Sequence, residues 1–300
     1  MATGWMEADC PWEKCPQLSE LANLAVSSGL SPVGKRPKIT SYLQSFFARR
    51  AFAFTLAKYS LLASTARSRL GVAWIVLVPA LQVTLYGLIF GLILGDARPD
   101  NFLPFLIVGV VMFQFLSGSF IEGAKSITSN SSLVRSLDFP RILLPFSATA
   151  SQFVRFAGIL VIALLVLPFF GEFPTVSWLS VIGVIALAAI FSFGLSMLAA
   201  RMTTDFSDLS QLIPFITRLM FYSSGVFFSI DKLTEAYSWL GFLTWANPIS
   251  VYLELARASL VTGYSATGID WLIGGLWAFL MLSTGFIFFW LAEVRYGRLN

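Results

Sequence analysis

Residues 72–94 read VAWIVLVPALQVTLYGLIFGLIL, a run without a single charge. A bilayer core about 30 Å thick is crossed by about 20 mostly apolar residues in a helix. Lipid offers no partner to an open backbone, so such a run must be helical. It is therefore the first transmembrane span. GDARPDN at 95–101 ends it with turn residues. Working outward, further apolar windows fall at about 102–121, 142–169, 176–200, 211–229 and 269–292. The expected fold is an all-α membrane protein of six spans.

Composition agrees. Of 300 residues, 57% are hydrophobic and only 12% charged, against roughly 25% charged in a soluble domain. There is no histidine, which removes the commonest metal ligand and the usual neutral-pH proton shuttle. The net charge of +4 reports loop orientation in such a chain, not a nucleic-acid partner.

Lysine and arginine set that orientation. Fifteen of them fall on one side: nine before the first span, Lys125, Arg135 and Arg141 after the second, Arg201 after the fourth, and Arg295 and Arg298 in the tail. Arg98, Lys232 and Arg257 fall opposite, and Arg155 and Arg218 lie inside spans. Both termini are expected in the cytoplasm. Residues 1–39 read as a poorly ordered cytoplasmic extension, with no basic start and apolar run of a signal peptide. Residues 40–70 read as an interface helix and the loop leading to the first span. Residues 71–300 read as the six-span domain.

SYLQSFFARRAFAFTLAKYSLLAS at 41–64 has no turn residue. Leu43, Phe46, Phe47, Phe54, Leu61 and Leu62 alternate with Arg49, Arg50 and Lys58, as in an amphipathic helix lying on the cytoplasmic membrane surface. Residues 230–268 hold two apolar pieces, 237–245 and 248–260, each too short to span. Asn247-Pro248 separates them. Two re-entrant half-helices between spans five and six are expected.

Several motifs point to little chemistry. GLSPVGK at 29–35 imitates a P-loop, but Arg36 stands where the magnesium-binding Ser or Thr belongs. No ATPase and no cofactor are thus expected in this chain. Cys10 and Cys15 are half a zinc site, and no histidine completes it; reduced thiols in a tail explain them more simply. Asn130-Ser131-Ser132 matches a glycosylation sequon on the expected cytoplasmic side. Scattered acids form no catalytic pair, so a membrane-embedded glycosyltransferase has no visible site.

The candidates for function lie in the spans and loops. Arg155 and Arg218 are costly in lipid and should face a cavity or an acidic partner. They either contact substrate or make structural pairs. Tyr86 and Phe90 on the first span, and Phe215 and Tyr222 on the fifth, offer rings that could stack on sugars, although rings also fill cores and interface belts.

From about Phe46 to its end the chain resembles the permease subunits of type-2 ABC exporters for polysaccharides (the Wzm, KpsM and TagG group). The similarity lies in ARSRLG at 66–71 with Trp74 and Pro79, and in Leu133-Val134-Arg135 with Phe139-Pro140-Arg141 and Pro145. It continues in SGVFF at 224–228, Asn247-Pro248 and Arg295-Tyr296-Gly297-Arg298. The resemblance implies a homodimer with two ABC ATPase subunits in the bacterial plasma membrane. It implies a lipid-pyrophosphate-linked polysaccharide as substrate, of O-antigen, teichoic-acid or actinobacterial cell-wall galactan type. Arg218, Arg155, Tyr86, Phe90, Phe215 and Tyr222 would line the channel. Arg67 and Arg69 would meet the substrate at its cytoplasmic end. Glu122, Lys125, Arg135, Asp138, Asp205 and Asp208 would couple to the ATPase. The extension before residue 40 and the charge at Arg155 depart from the pattern. A type-2 exporter of small lipophilic drugs is the alternative within the same class.

Overall fold

The computed structural model describes residues 38–66, 69–93, 95, 99, 101–137, 139–206, 208–228 and 245–293. The extension with Cys10 and Cys15, the 29–35 motif, Arg67, Asp138, the first apolar piece up to residue 244 and the Arg295–Arg298 tail lie outside them. The described residues are helical, with no strand among them.

Two helices open the described chain, α1 (Ile39–Ala48) and α2 (Arg50–Ala66). Then come α3 (Ala73–Ile93), α4 (Phe102–Lys125), the short α5 (Ser131–Ser136), α6 (Leu143–Val166) and α7 (Ser180–Asp205). The chain continues as α8 (Leu209–Ser223), α9 (Pro248–Leu260) and α10 (Gly268–Leu291). Single 3-10 turns extend α6 to Phe170 and begin the α7 span at Val176. Five helices are long and apolar enough to cross a membrane: α3, α4, α6, α7 and α10, the last of 24 residues.

These five reproduce the sequence windows to within a few residues. The window at 211–229 fares differently. Its helix α8 has only 15 residues and stops at Ser223, a length of about 22 Å. Residues 224–228 turn away as an elbow, with Gly225 at φ 68°. The reason is visible in the hydrogen bonds. The carbonyls of Gly225 and Val226, free of any helical ladder, accept from the Arg257 guanidinium at 2.9 and 3.1 Å.

The core is α4. Of its most apolar stretch 78% is buried, against 6% in α3. α4 packs between α6, α7 and α9, and α10 packs on α7. The α7–α10 seam is the tightest: a Cβ built on Gly194 would enter the backbone at Met281, and one on Gly285 would meet the Gly194 carbonyl. Small residues are what let membrane helices approach this closely.

The expected surface helix is corrected in two respects. It breaks at Arg49 into α1 and α2. The ring contact of Phe54 with Phe146 and the hydrogen bond of Arg155 to Ser64 match positions ten residues apart on α2 with nine apart on α6. α2 therefore climbs along α6. It faces the bundle with Ala53 and Ala57, while Phe54 and Leu62 are exposed. Large apolar side chains cost nothing against lipid, whereas close helix contact needs small ones, so α2 turns its small residues to the bundle and its large ones outward.

Candidate functional site

The two ends of the bundle are held by different polar knots. At one end, called here the basic end, Tyr42 donates to Glu293 Oε2 at 2.7 Å, and the Arg141 backbone N–H donates to Oε1 at 3.0 Å. The Arg141 side chain completes an ion pair at 3.5 Å. Burial pushes the Glu293 carboxyl up, against the lowering pull of these two hydrogen bonds and of the Arg141 charge. At the far end the buried Glu172 accepts from Asn101 Nδ2 at 2.9 Å, Thr262 Oγ1 at 3.0 Å and the Thr262 backbone N–H at 2.8 Å. Each knot joins three chain segments through one buried carboxylate.

The basic end also gathers the coupling candidates. The Thr203 hydroxyl donates to the Ala124 carbonyl at 2.5 Å, clamping the last turn of α7 onto the last turn of α4. This brings Glu122 and Lys125 beside the α7–α8 link, where Asp205 and Asp208 are exposed. Asp205 is already paired with Arg201 at 2.7 Å. Arg135 is exposed on α5. Asp138 and Arg67 fall outside the described residues, and Arg69 is exposed between α2 and α3.

Toward the far end the aromatic candidates converge. Tyr86 lies 5.3 Å from both Phe221 and Phe227, and Phe90 stacks on Phe227 at 4.2 Å. Phe113 of α4 meets Phe221 at 4.8 Å, and Tyr222 meets Phe227 at 5.9 Å. Rings from α3, α4, α8 and the elbow therefore form one wall. Arg218 is exposed on α8 and lies within electrostatic range of the Tyr86 hydroxyl. Phe215 stands apart from the rings, 68% exposed two turns earlier on the same helix. Arg155 is not part of the wall; it bonds to Ser64 on α2 at 2.8 Å.

What holds the wall in place is Arg257, which the sequence reading counted among the cations of the far side, on the second expected half-helix. Its side chain is wholly buried. Nη1 pairs with Glu254 at 2.7 Å, and Nε donates to the Phe105 carbonyl at 3.4 Å. The guanidinium carbon sits 3.4 Å from the centre of the Phe105 ring. With the two elbow carbonyls, Arg257 ties α9 to α4 and to residues 225–226. A cation in an apolar helix three residues after a glutamate was the available signal.

α9 reaches this position from inside. Asn247 caps its start by accepting from Ile249 N–H at 3.1 Å, and its amide donates to Ser224 Oγ at 3.1 Å. Just before it, the Trp245 carbonyl accepts from Trp277 at 2.8 Å. Trp277 lies nine residues into α10, about 14 Å from the far end. From there α9 rises to Thr262 in the Glu172 knot.

With this geometry in view, the comparison with known families is decisive. Residues 53–261 match the ABC-2 type transporter family. The chain belongs to that family. It is 29% identical over 197 residues to an O-antigen export system permease protein of Klebsiella pneumoniae, covering 65% of this chain and 74% of that protein. It is 23% identical over 204 residues to the polysialic acid transport protein of Escherichia coli, covering 67% and 78% respectively. An inner membrane transport permease of Escherichia coli K12 is 27% identical over 186 residues, 58% of this chain and 70% of its own length. The matched region of this ABC-2 chain includes the aromatic wall, Arg257 and the polar end knots except for Tyr42, Thr262 and Glu293.

Proposed function

We propose that this chain is the permease subunit of an ATP-driven exporter of lipid-linked polysaccharide in the bacterial plasma membrane. It acts as a homodimer with two ABC ATPase subunits, which bind ATP and magnesium. The basic end faces the cytoplasm, in keeping with the distribution of lysine and arginine. There the surfaces around Lys125, Arg135 and Asp208 meet the ATPases. α8 serves as the sixth membrane-crossing element, its crossing completed by the elbow and by the rise of α9 from the level of Trp277. In this reading α9 is the ascending half of a re-entrant pair.

One observation carries the reading: the rings of Tyr86, Phe90, Phe221 and Phe227 join α3 to α8, beside the exposed Arg218. Aromatic faces stack on the C–H faces of sugars, and two such walls from two copies would line a passage. The names of the relatives support polysaccharide as cargo. The test is ATPase activity of the chain reconstituted with its partner ATPase. Stimulation by a lipid-linked glycan, reduced at least severalfold by Phe90→Ala, is expected. Stimulation by lipophilic drugs with none from glycan would replace this reading with drug export.

A further inference from the structure

Arg155 raises a question that the wall does not answer. It sits in a cleft of about 430 Å³ between α2, α3, α4 and α6. The cleft has a polar floor of Ser64, Gln114, Gln152 and Arg155, and Trp74 at its rim. Pro79, Val111, Phe115 and Ile159 line the remainder. Arg155 is twelve residues into α6, about 18 Å from the basic end by helix rise. Helical side chains lean toward their own N-terminus, so the guanidinium reaches back toward the basic end, where it bonds to Ser64.

The charge is incompletely answered there. A neutral hydroxyl is its hydrogen-bond partner, and its Nε is buried without an acceptor. No Asp or Glu lines the cleft among the described residues. Gln152 is held close against α4, where a Cβ on Gly118 would stand 2.8 Å from its amide oxygen. Ser64 and Gly71 both line the cleft, and the link between them carries the exposed Arg69, so the mouth is positive as well. A guanidinium beside lipid is stable only against an anion or water. The cleft lies where the first span begins, lined by Gly71 and Trp74, and a tryptophan at the start of a span suits the interface, where headgroups lie. The apolar flanks suit a hydrocarbon chain.

We infer that this cleft is a binding site for a phosphate-bearing lipid headgroup, held by Arg155 with the amide of Gln152. The phosphate would accept from Arg155 Nε and the Gln152 N–H groups, while the lipid chains run along α3 and α6; the Gln114 amide already donates to Gln82 at 2.6 Å. The site is separate from the aromatic wall and does not depend on polysaccharide being the cargo. The ligand class is shared by bilayer phospholipids and by polyprenyl phosphates, and the two are separable.

The test is native mass spectrometry of the full-length chain in neutral detergent. The probes are phosphatidylglycerol, a polyprenyl phosphate, and diacylglycerol with the same chains as the phosphatidylglycerol. One phosphate lipid per chain should be retained in preference to diacylglycerol. Arg155→Gln should weaken that retention roughly tenfold or more, as expected for losing a charge-assisted hydrogen bond, and Arg155→Lys should weaken it less. A polyprenyl phosphate preferred over phosphatidylglycerol assigns the site to the carrier lipid, and the reverse to the bilayer. Retention of neither phosphate lipid above diacylglycerol by the native chain overturns the proposal. So does retention unchanged in a folded Arg155→Gln chain. If that variant fails to fold, Gln152→Leu decides: a loss selective for phosphate lipids supports the site, and no loss overturns it.

Discussion

Replacing Arg257 by methionine isolates its polar role, because methionine keeps most of the unbranched volume and none of the donors. The native guanidinium serves Glu254, the Phe105 carbonyl and the carbonyls of Gly225 and Val226. The Phe105 carbonyl lies in the first turn of α4 and retains its helical partner. Glu254 is 31% exposed and can hydrate. The two elbow carbonyls are buried and lose their donors outright, at about 1–3 kcal/mol each. Breaking a buried ionic contact from one side typically costs 3–5 kcal/mol in total, and the two figures agree on about 3–4. The loss is local, so it should appear first as opening of the elbow. Hydrogen exchange at residues 224–228 in detergent should quicken by a few hundredfold, at about 1.4 kcal/mol per factor of ten, and thermal stability should fall. Gly109→Ala should imitate it more mildly, because its Cβ would stand 2.6 Å from Arg257 Nη2. Glu254→Gln should do much less. Elbow exchange and melting temperature unchanged in Arg257→Met would refute the claim that this arginine holds the elbow.

Two other predictions concern the frame. Gly194→Val should destabilise the folded chain by at least about 2 kcal/mol, because its side chain would enter the α10 backbone at Met281; a melting temperature equal to the native one would contradict the seam. Burial raises the Glu293 carboxyl above its unfolded value, so its contribution is fully present below the ordinary glutamate range and is lost as pH rises through the folded value. Glu293→Gln should therefore flatten the decline of stability with rising pH, and an identical pH slope in both proteins would show that Glu293 is not the group responsible.

The spans were legible because one physical requirement, a long apolar helix, dominates their sequence. Five windows matched helices to within a few residues. The sixth misled because its composition continues past Ser223 while its backbone does not. Nothing in SGVFF says that Arg257, some thirty residues on, will take the carbonyls that a continuing helix would use. The packing of α2 on α6 was hidden for a related reason. Amphipathicity predicts which side is polar, but among apolar positions the membrane favours small residues inward, and period alone does not rank Ala57 above Phe54. Of the rings in the wall, Tyr86, Phe90 and Tyr222 were candidates by residue type, and Phe113 of α4 enters only through tertiary contact. Glu172 and Glu293 resembled ordinary loop and tail acids; their burial depends on partners 70 to 250 residues away in sequence.

Exposure has to be weighed differently for α3 and α8. The outward leucines of α3, such as Leu88 at 63% and Leu92 at 82%, require no protein partner, since lipid is as apolar as they are. α8 is another matter. Gln211, Phe215, Arg218 and Tyr222 recur at spacings of four, three and four and are all exposed, so they form one stripe along the helix. Lipid cannot satisfy an arginine and a glutamine on one face: a charge alone costs about 2.5–3.5 kcal/mol at the membrane centre. Water or a second protein surface can. The two helices that flank the aromatic wall are therefore not equivalent. α3 can sit against lipid on its outer side, whereas the stripe on α8 has to be turned toward a wet passage or a second copy. The proposed dimer supplies both, with Arg218 placed where it can meet the cargo beside Tyr86.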